Sequence, residues 1–406
     1  MAKTVITNVT AVTMDPPGKS IDDAYILIED GKVNAVGARK EADGKIFEAE
    51  GLNYIDGEGC QAYPGFIDAH CHLGMFDDHI GKQGSDGNEI TDPVTPQLRA
   101  VDAFFHDDPT VPEALEGGVT TVMTGPGSAN VIGGQFALLK PYGRTVDEMT
   151  ILAPAAMKAA LGENPKGCYG DKGKAPQTRM ANAALLRSAL QKAARYREAA
   201  AKAEEEGRDK PSYDPVSEAL LPVLERKLIL KIHCHRADDI LTAVRIANEF
   251  SLRYTLDHCT EGYLIADVLE EEYAAGGEEG HGTMEGIICG PLITDRSKPE
   301  LSRKWNGLAA VLYDTGIPLA IATDHPVIPI QYAGIQAALL MRDGLSREAA
   351  LECLTVNPAR ILGMGDRLGS ISPGKDADIV LWNDDPFACH STVNRVLING
   401  QTVYEE

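Results

Sequence analysis

Apolar and polar positions along the 406-residue chain fall into two textures. At both ends the apolar runs are short, rich in β-branched residues and punctuated by Asp-Gly. They read "KTVITNVTAVT", "AYILIEDGKVNAVG" and "NYIDGEGCQAY" near the start, and "DADIVLWND" and "VNRVLINGQTVYEE" near the finish. Such runs predict strands joined by tight turns. Two strand-rich ends around a long middle predict one small β-sandwich domain, residues 1–63 and 368–406, built from both termini.

The middle, residues 64–367, alternates. Apolar runs recur as "PGFIDAH", "GVTTVMTG", "AAMKAAL", "KLILKIHCH", "RYTLDH", "GIICG" and "IPLAIATDH", with amphipathic stretches such as "ADDILTAVRIANEFS" and "YLIADVLEEEYAA" between them. Unbroken apolar strands alternating with helices predict a parallel sheet covered by helices. About eight such units predict an α/β fold of the (β/α)8, TIM-like barrel type, which needs ~250 residues. A doubly wound open sheet is the alternative, but no GxGxxG follows the first β run. The charged, Ala-rich stretch from Gln177 to Asp209 predicts an exposed amphipathic helix extending one connection.

The candidate chemistry sits where the apolar runs stop. "AYPGFIDAHCHLG" ends in His70-Cys71-His72, and alternation along a strand aims both imidazoles at one point. Alone, such a pair is weak evidence for a metal. It has company: His233 and His235 end a later run, His258 the next, and Asp324 and His325 the last strong one. In a parallel barrel the C-terminal ends of all strands share one face, where active sites form. Imidazoles plus a carboxylate suit Zn, and also Mn or Fe. A bound divalent ion brings the pKa of a water down to roughly 7, which supplies hydroxide at neutral pH. Asp324 is the candidate metal ligand and catalytic proton shuttle. Cys71, Cys234 and Cys259 alternate away from these histidines and read as small apolar residues. His79, His106, His281 and His390 stand outside the pattern and read as loop or surface residues.

"PGFIDAHCHLG" resembles the first-strand motif of the amidohydrolase superfamily of metal-dependent hydrolases. His233, His258 and Asp324 match that family's ligand or catalytic positions on the fifth, sixth and eighth strands. The segment "LTVNPARILGMGDRLGSISPGKDADIVLW" is similar to the family's return to its small β domain. The resemblance covers nearly the whole chain and is nearest to the branch of imidazolonepropionase and Xaa-Pro dipeptidases. It implies hydrolysis of an amide, cyclic amide or peptide C–N bond in a small molecule by metal-activated hydroxide, with one or two divalent ions. In two-metal members an acid from the fourth strand bridges the ions. Here Glu163 and, if carboxylated, Lys158 compete for that place, and Glu163 is slightly favoured because it needs no modification. With a bridge, His70 and His72 would hold one ion, and His233 and His258 the other. Without one, His70, His72, His233 and Asp324 would hold a single ion beside a catalytic His258, as in a mononuclear deaminase or imidazolone-type hydrolase. A non-catalytic binding protein on this fold is a further alternative, opposed by the full ligand set.

Two Gly-rich segments, "MFDDHIGKQGSDGNEITDP" and "TGPGSANVIGGQ", are expected over or beside the pocket. His235, His325, Asn130, Gln135 and Arg296 are candidate substrate contacts. A net charge of −22, from 38 basic and 60 acidic residues, opposes nucleic acid and anionic membrane surfaces as partners. No apolar stretch is long enough to span a membrane, and eight scattered cysteines without a CxxC pair fit a reducing cytoplasm. Whether the chain forms a homo-oligomer stays open.

Overall fold

A computed structural model describes residues 3–42, 44, 47, 51–76 and 81–406. Strands from the two ends of the chain pair in one sheet. β1 (Lys3–Val12), β2 (Ser20–Glu29), β3 (Lys32–Ala38), β4 (Leu52–Asp56) and β5 (Gln61–Pro64) form one eight-stranded sheet with strands from the far end of the chain. The barrel strands follow: β6 (Phe66–Cys71), β7 (Val119–Thr124), β8 (Ile132–Leu139), β9 (Thr150–Ala160), β10 (Ile229–Cys234), β11 (Arg253–His258), β12 (Thr283–Cys289) and β13 (Leu319–Ile321). β14 (Ile379–Trp382), β15 (Val393–Ile398) and β16 (Gln401–Glu405) then complete the first sheet, in the order β16-β15-β14-β5-β1-β2-β3 with β4 beside β1. Alternation buries Ile6, Ile26, Ile28, Ile379, Leu381 and Leu397 in its own core.

The barrel sheet runs β13-β12-β11-β10-β9-β8-β7-β6. It nearly closes: the Asp324 N–H donates to the His70 carbonyl at 3.1 Å, and the His72 N–H to the His325 carbonyl at 2.9 Å. One expectation is corrected. The sheet is not wholly parallel, because β8 runs antiparallel to both β7 and β9. Only residues 125–131 join β7 to β8, and a crossover to a parallel strand needs about a dozen. The segment "TGPGSANVIGGQ" is therefore that tight return plus the start of β8. Gly133, Gly134 and Gln135 interrupt the apolar run there, which hides the strand in the sequence.

Helices cover the outside. Arg179–Glu205, the long helix expected from composition, buries Ala183, Leu186, Ala189, Leu190 and Ala193 and leaves others, such as Met180 and Lys192, exposed. Helix Ala237–Glu249 packs Ile240, Val244 and Ala247 inward at i, i+4 and i+7 spacing. Cys71, Cys234, Cys259 and Cys289 join this apolar layer, where burial pushes their thiols up, Cys259 to about 12. No described helix is long and apolar enough to cross a membrane.

Two contacts between the sheets stand out among the described residues. Gly65 links β5 to β6, and a Cβ there would lie 1.9 Å from Thr120 Oγ1, so the junction admits only glycine. Lys140, just past β8, reaches Asp376 at 3.0 Å and Asp378 at 2.8 Å, with all three side chains nearly sealed from solvent.

Candidate metal centre

His70 sits near the end of β6, and His72 just beyond it. Their outer nitrogens are tied down. His70 Nδ1 donates to Asp257 Oδ2 at 2.7 Å, and His72 Nδ1 to the Gly125 carbonyl at 2.7 Å. Each inner Nε2 therefore carries a lone pair, and both face Asp324 Oδ1, at 3.5 Å from His70 and 3.1 Å from His72. From β11, His258 Nδ1 donates to the Gly290 carbonyl at 2.5 Å, and its Nε2 is buried without a hydrogen-bond partner. From β10, His233 Nδ1 pairs with Ser128 Oγ at 2.9 Å, and His235 Nδ1 with Thr260 Oγ1 at 2.7 Å.

The ligand atoms fall into two overlapping groups, each within 4.8 Å: His70, His258 and Asp324, and His233, His235 and His258. Convergent imidazole lone pairs, an orphaned buried Nε2 and one carboxylate fit a divalent ion. Two of these residues hold strained backbones. His258 has φ 69° and Asp324 φ 54°, left-handed values that redirect each side chain at the end of its strand.

Burial sets the charge state. It pulls His70 down, with Lys158 adding to the effect, and it takes His233 and His235 well below the ordinary histidine value. His258 is brought to about 3. Burial alone would raise Asp324, but the facing imidazoles, His258 first, hold it well below the usual carboxylate range. The site thus presents neutral imidazoles and an ionised carboxylate, the protonation states a cation requires.

Lys158 and Glu163 part company. Lys158, on β9, is fully buried with Nζ 3.3 Å from His70 Nε2, and burial lowers its ammonium to about 8. Glu163 opens the helix Glu163–Gly170, and its carboxylate lies 3.9 Å from Arg179. Gly162, at φ 79°, ends the strand's alternation between them.

Of the five proposed substrate contacts, only His235 lines the cavity at the cluster. That cavity, of about 530 Å³, is also bordered by Phe76, Asn88, Ser128, Asn164, Lys298 and Val327. His325 accepts the Ile330 N–H on Nδ1 and so is oriented by the loop that follows β13. Asn130 is spent on Thr95 and Tyr169. Gln135, facing outward from β8, donates to the Pro96 carbonyl and lines a different cavity on the barrel's outer wall. Arg296 donates to the carbonyls of Ser302 and Lys304. His106 and His390 are exposed and His281 is half-buried, while His79 lies outside the described residues.

Several neighbours of the site went unread in the sequence. Asp257 is fully buried behind His70, accepts from Thr255 Oγ1 at 2.7 Å and pairs with Lys231 at 3.2 Å. Burial opposes its charge, but Lys231 and His70 outweigh that and hold it well below the carboxylate range. A signal existed: Lys231 lies two residues before His233, hence on the same strand face, inside an otherwise apolar run. Lys298 is anchored by Asn164 Oδ1 at 2.9 Å and Glu300 Oε1 at 3.0 Å, and lies 3.5 Å from His235 Nε2. It belongs to a loop, where no periodicity marks a position.

Residues 62–403 match the Amidohydrolase family. The chain is similar to an amidohydrolase of Thermotoga maritima of known structure, at 41% identity and TM-score 0.92, covering 99% of this chain and 100% of that one. It is 30% identical to the amidohydrolase tasK of Hapsidospora irregularis, over 99% of this chain but 43% of that longer protein. An imidazolonepropionase of Aromatoleum aromaticum is 25% identical over 91% of this chain and 88% of its own length. Matched over most of its length, the chain belongs to the Amidohydrolase family, hydrolases of carbon–nitrogen bonds.

Proposed function

We propose that the protein hydrolyses a C–N bond of a small amide, cyclic amide or peptide, using one or two divalent ions, Zn before Mn or Fe. His70, His72, His233, His258 and Asp324 would hold the metal, with Lys158 or Glu163 as the bridging group if two ions share one. The observation that carries this reading is the outward tethering of His70, His72 and His258 through Nδ1, which leaves three Nε2 lone pairs around Asp324. When bound, a divalent ion supplies Lewis acidity, bringing the pKa of a water to roughly 7 and polarising a carbonyl. Asp324, ionised and facing the cavity, takes a proton from water and returns it to the leaving nitrogen. Asn164 and Lys298 offer donors that orient a polar substrate group, while Phe76 and Val327 pack its apolar part.

His258 belongs to both ligand groups, and this favours a second reading: one ion, with His258 free as a catalytic partner, in a deaminase or imidazolone-type hydrolase. We also read the terminal sheet as a β-sandwich domain, residues 1–63 and 368–406, and the barrel as residues 64–367. The test is chelation followed by Zn²⁺ or Mn²⁺ add-back, assayed on N-acyl amino acids, dipeptides and cyclic amides. Loss and recovery of turnover are expected; turnover insensitive to both steps removes the reading.

A further inference from the structure

We propose that a second cavity, joined to the catalytic one across the loop that follows β12, is a substrate subsite for an anionic group flanked by an apolar body. The substrate class is then an acidic peptide, or a peptide-like amide, that extends beyond a dipeptide. This rests on the hydrolase reading above and deepens it. The second cavity measures about 550 Å³ and the first about 530 Å³, so each has room for a large side chain with its backbone. Thr294 and Asp295 border both cavities. A ligand that fills the first can therefore continue over this ridge into the second.

The walls of the second cavity combine exposed apolar surface with cations that the fold leaves unbalanced. Trp305 and Ile293 line it, 49% and 41% exposed. The indole is braced: Tyr263 meets it edge-on with ring centroids 5.2 Å apart, and Gly307 makes room for it, since a Cβ there would come within 2.2 Å of the ring. A braced yet half-exposed ring is a platform for an apolar group. Arg342, on the same wall, spends its charge on Asp343 at 3.3 Å. Arg296 and Lys304 differ, since neither forms an ion pair among the described residues. Arg296 donates from Nε and Nη2 to the carbonyls of Ser302 and Lys304, which leaves its Nη1 end for a ligand. Lys304 donates to the Leu292 and Thr294 carbonyls and to Thr294 Oγ1, and so holds the ridge in place. Burial and Arg296 push the Lys304 ammonium down, with the exposed Asp295 opposing them. Two adjacent like charges in a chain of net charge −22 cost energy that a bound carboxylate would return. The free edge of a guanidinium suits that carboxylate.

The experiment titrates the full-length chain with acetyl-Phe-Glu and with its uncharged counterpart, acetyl-Phe-Gln-amide, and follows tryptophan emission. The chain has two tryptophans, and the other, Trp382, is only 5% exposed. The acidic probe should change the emission saturably and bind about 10-fold more tightly than the neutral one. Most of that preference should disappear at about 1 M salt. The emission change should vanish in Trp305→Phe. Arg296→Gln should equalise the two probes, and Arg296→Lys should restore part of the difference. Lengthening the acidic probe by two residues, at one end or the other, should tighten binding about 10-fold or more, because the added residues enter the catalytic cavity. The salt and length series use the wild-type chain, so the question stays answerable if a variant misfolds. The subsite is overturned if the two probes bind equally, if the preference is insensitive to salt, or if the emission change persists in Trp305→Phe. It is also overturned if Arg296→Gln keeps the preference, or if lengthening at neither end tightens binding. Binding of the expected kind in a protein that hydrolyses no amide would leave the binding site standing and remove the hydrolase reading alone. Turnover of small amides with equal binding of the two probes would remove the subsite alone.

Discussion

Asp257, on β11, accepts the His70 Nδ1 proton from across the barrel at 2.7 Å, and Lys231 closes on the same carboxylate oxygen at 3.2 Å. Lys231 also donates to the Ala69 carbonyl at 3.1 Å, so this buried stack ties β6, β10 and β11 together beneath the proposed metal. It fixes the His70 tautomer and ring angle. Asp257→Asn keeps the shape and removes the charge. Metal affinity, measured by chelator competition, should fall about 10- to 100-fold. An unchanged affinity would show that His70 needs no such orienting partner.

Asp324→Asn tests the proton shuttle. Asparagine tolerates the left-handed backbone that Asp324 adopts at φ 54°, so the turn after β13 should survive. The amide cannot carry a proton from water to the leaving nitrogen. Turnover should fall by about 10²- to 10⁴-fold with KM little changed. Retention of turnover would reassign proton transfer to another group.

The sequence exposed what depends on periodicity and hid what depends on irregular backbone. His70, His72 and His233 are legible because each continues the phase of an apolar strand. β8 is not, because Gly133 and Gly134 break its run and the hairpin that enters it leaves no helix to mark a crossover. Glu163 stands slightly ahead of Lys158 in the sequence because it needs no modification; the turn at Gly162, which starts a helix and carries Glu163 to Arg179, is invisible to alternation. Asn130, Gln135 and Arg296 were picked by type alone. Each is committed to a structural bond that a loop or strand face decides.

Gly290→Ala probes how the backbone aims His258. Gly290 sits at φ 137°, and a Cβ there would come within 1.9 Å of the Ala322 carbonyl oxygen. The clash is with main chain, so β12 and β13 must separate, and the carbonyl that holds His258 Nδ1 moves with them. Stability should drop by about 1–3 kcal/mol in urea unfolding. Bound metal per folded chain should fall as well. A variant with normal stability and full metal content would contradict the proposed role of that carbonyl.

Lys140 offers a test with a pH signature, away from the site. It neutralises two buried carboxylates that join the barrel to the terminal sheet. Asp376 also has Arg367 and Lys32; burial opposes its charge, yet these cations with Lys140 hold it at about 2. Asp378 is raised instead, because its burial outweighs Lys140, the cation that faces it. Asp376 therefore stabilises the fold above its unfolded value of about 3.9, and that contribution disappears as pH falls toward 2. Asp378 has the opposite sign: its raised value costs stability at neutral pH and the cost is relieved as the pH falls. Lys140→Met removes the partner and leaves the Asp378 charge buried, a loss of about 3–5 kcal/mol at pH 7. The variant can recover by protonating Asp378, whose value should climb further. The gap between wild type and variant in urea midpoint should thus narrow from pH 7 to pH 5, before Asp376 begins to titrate in the wild type. A gap independent of pH over that range would mean that Lys140 acts through packing and not through its charge.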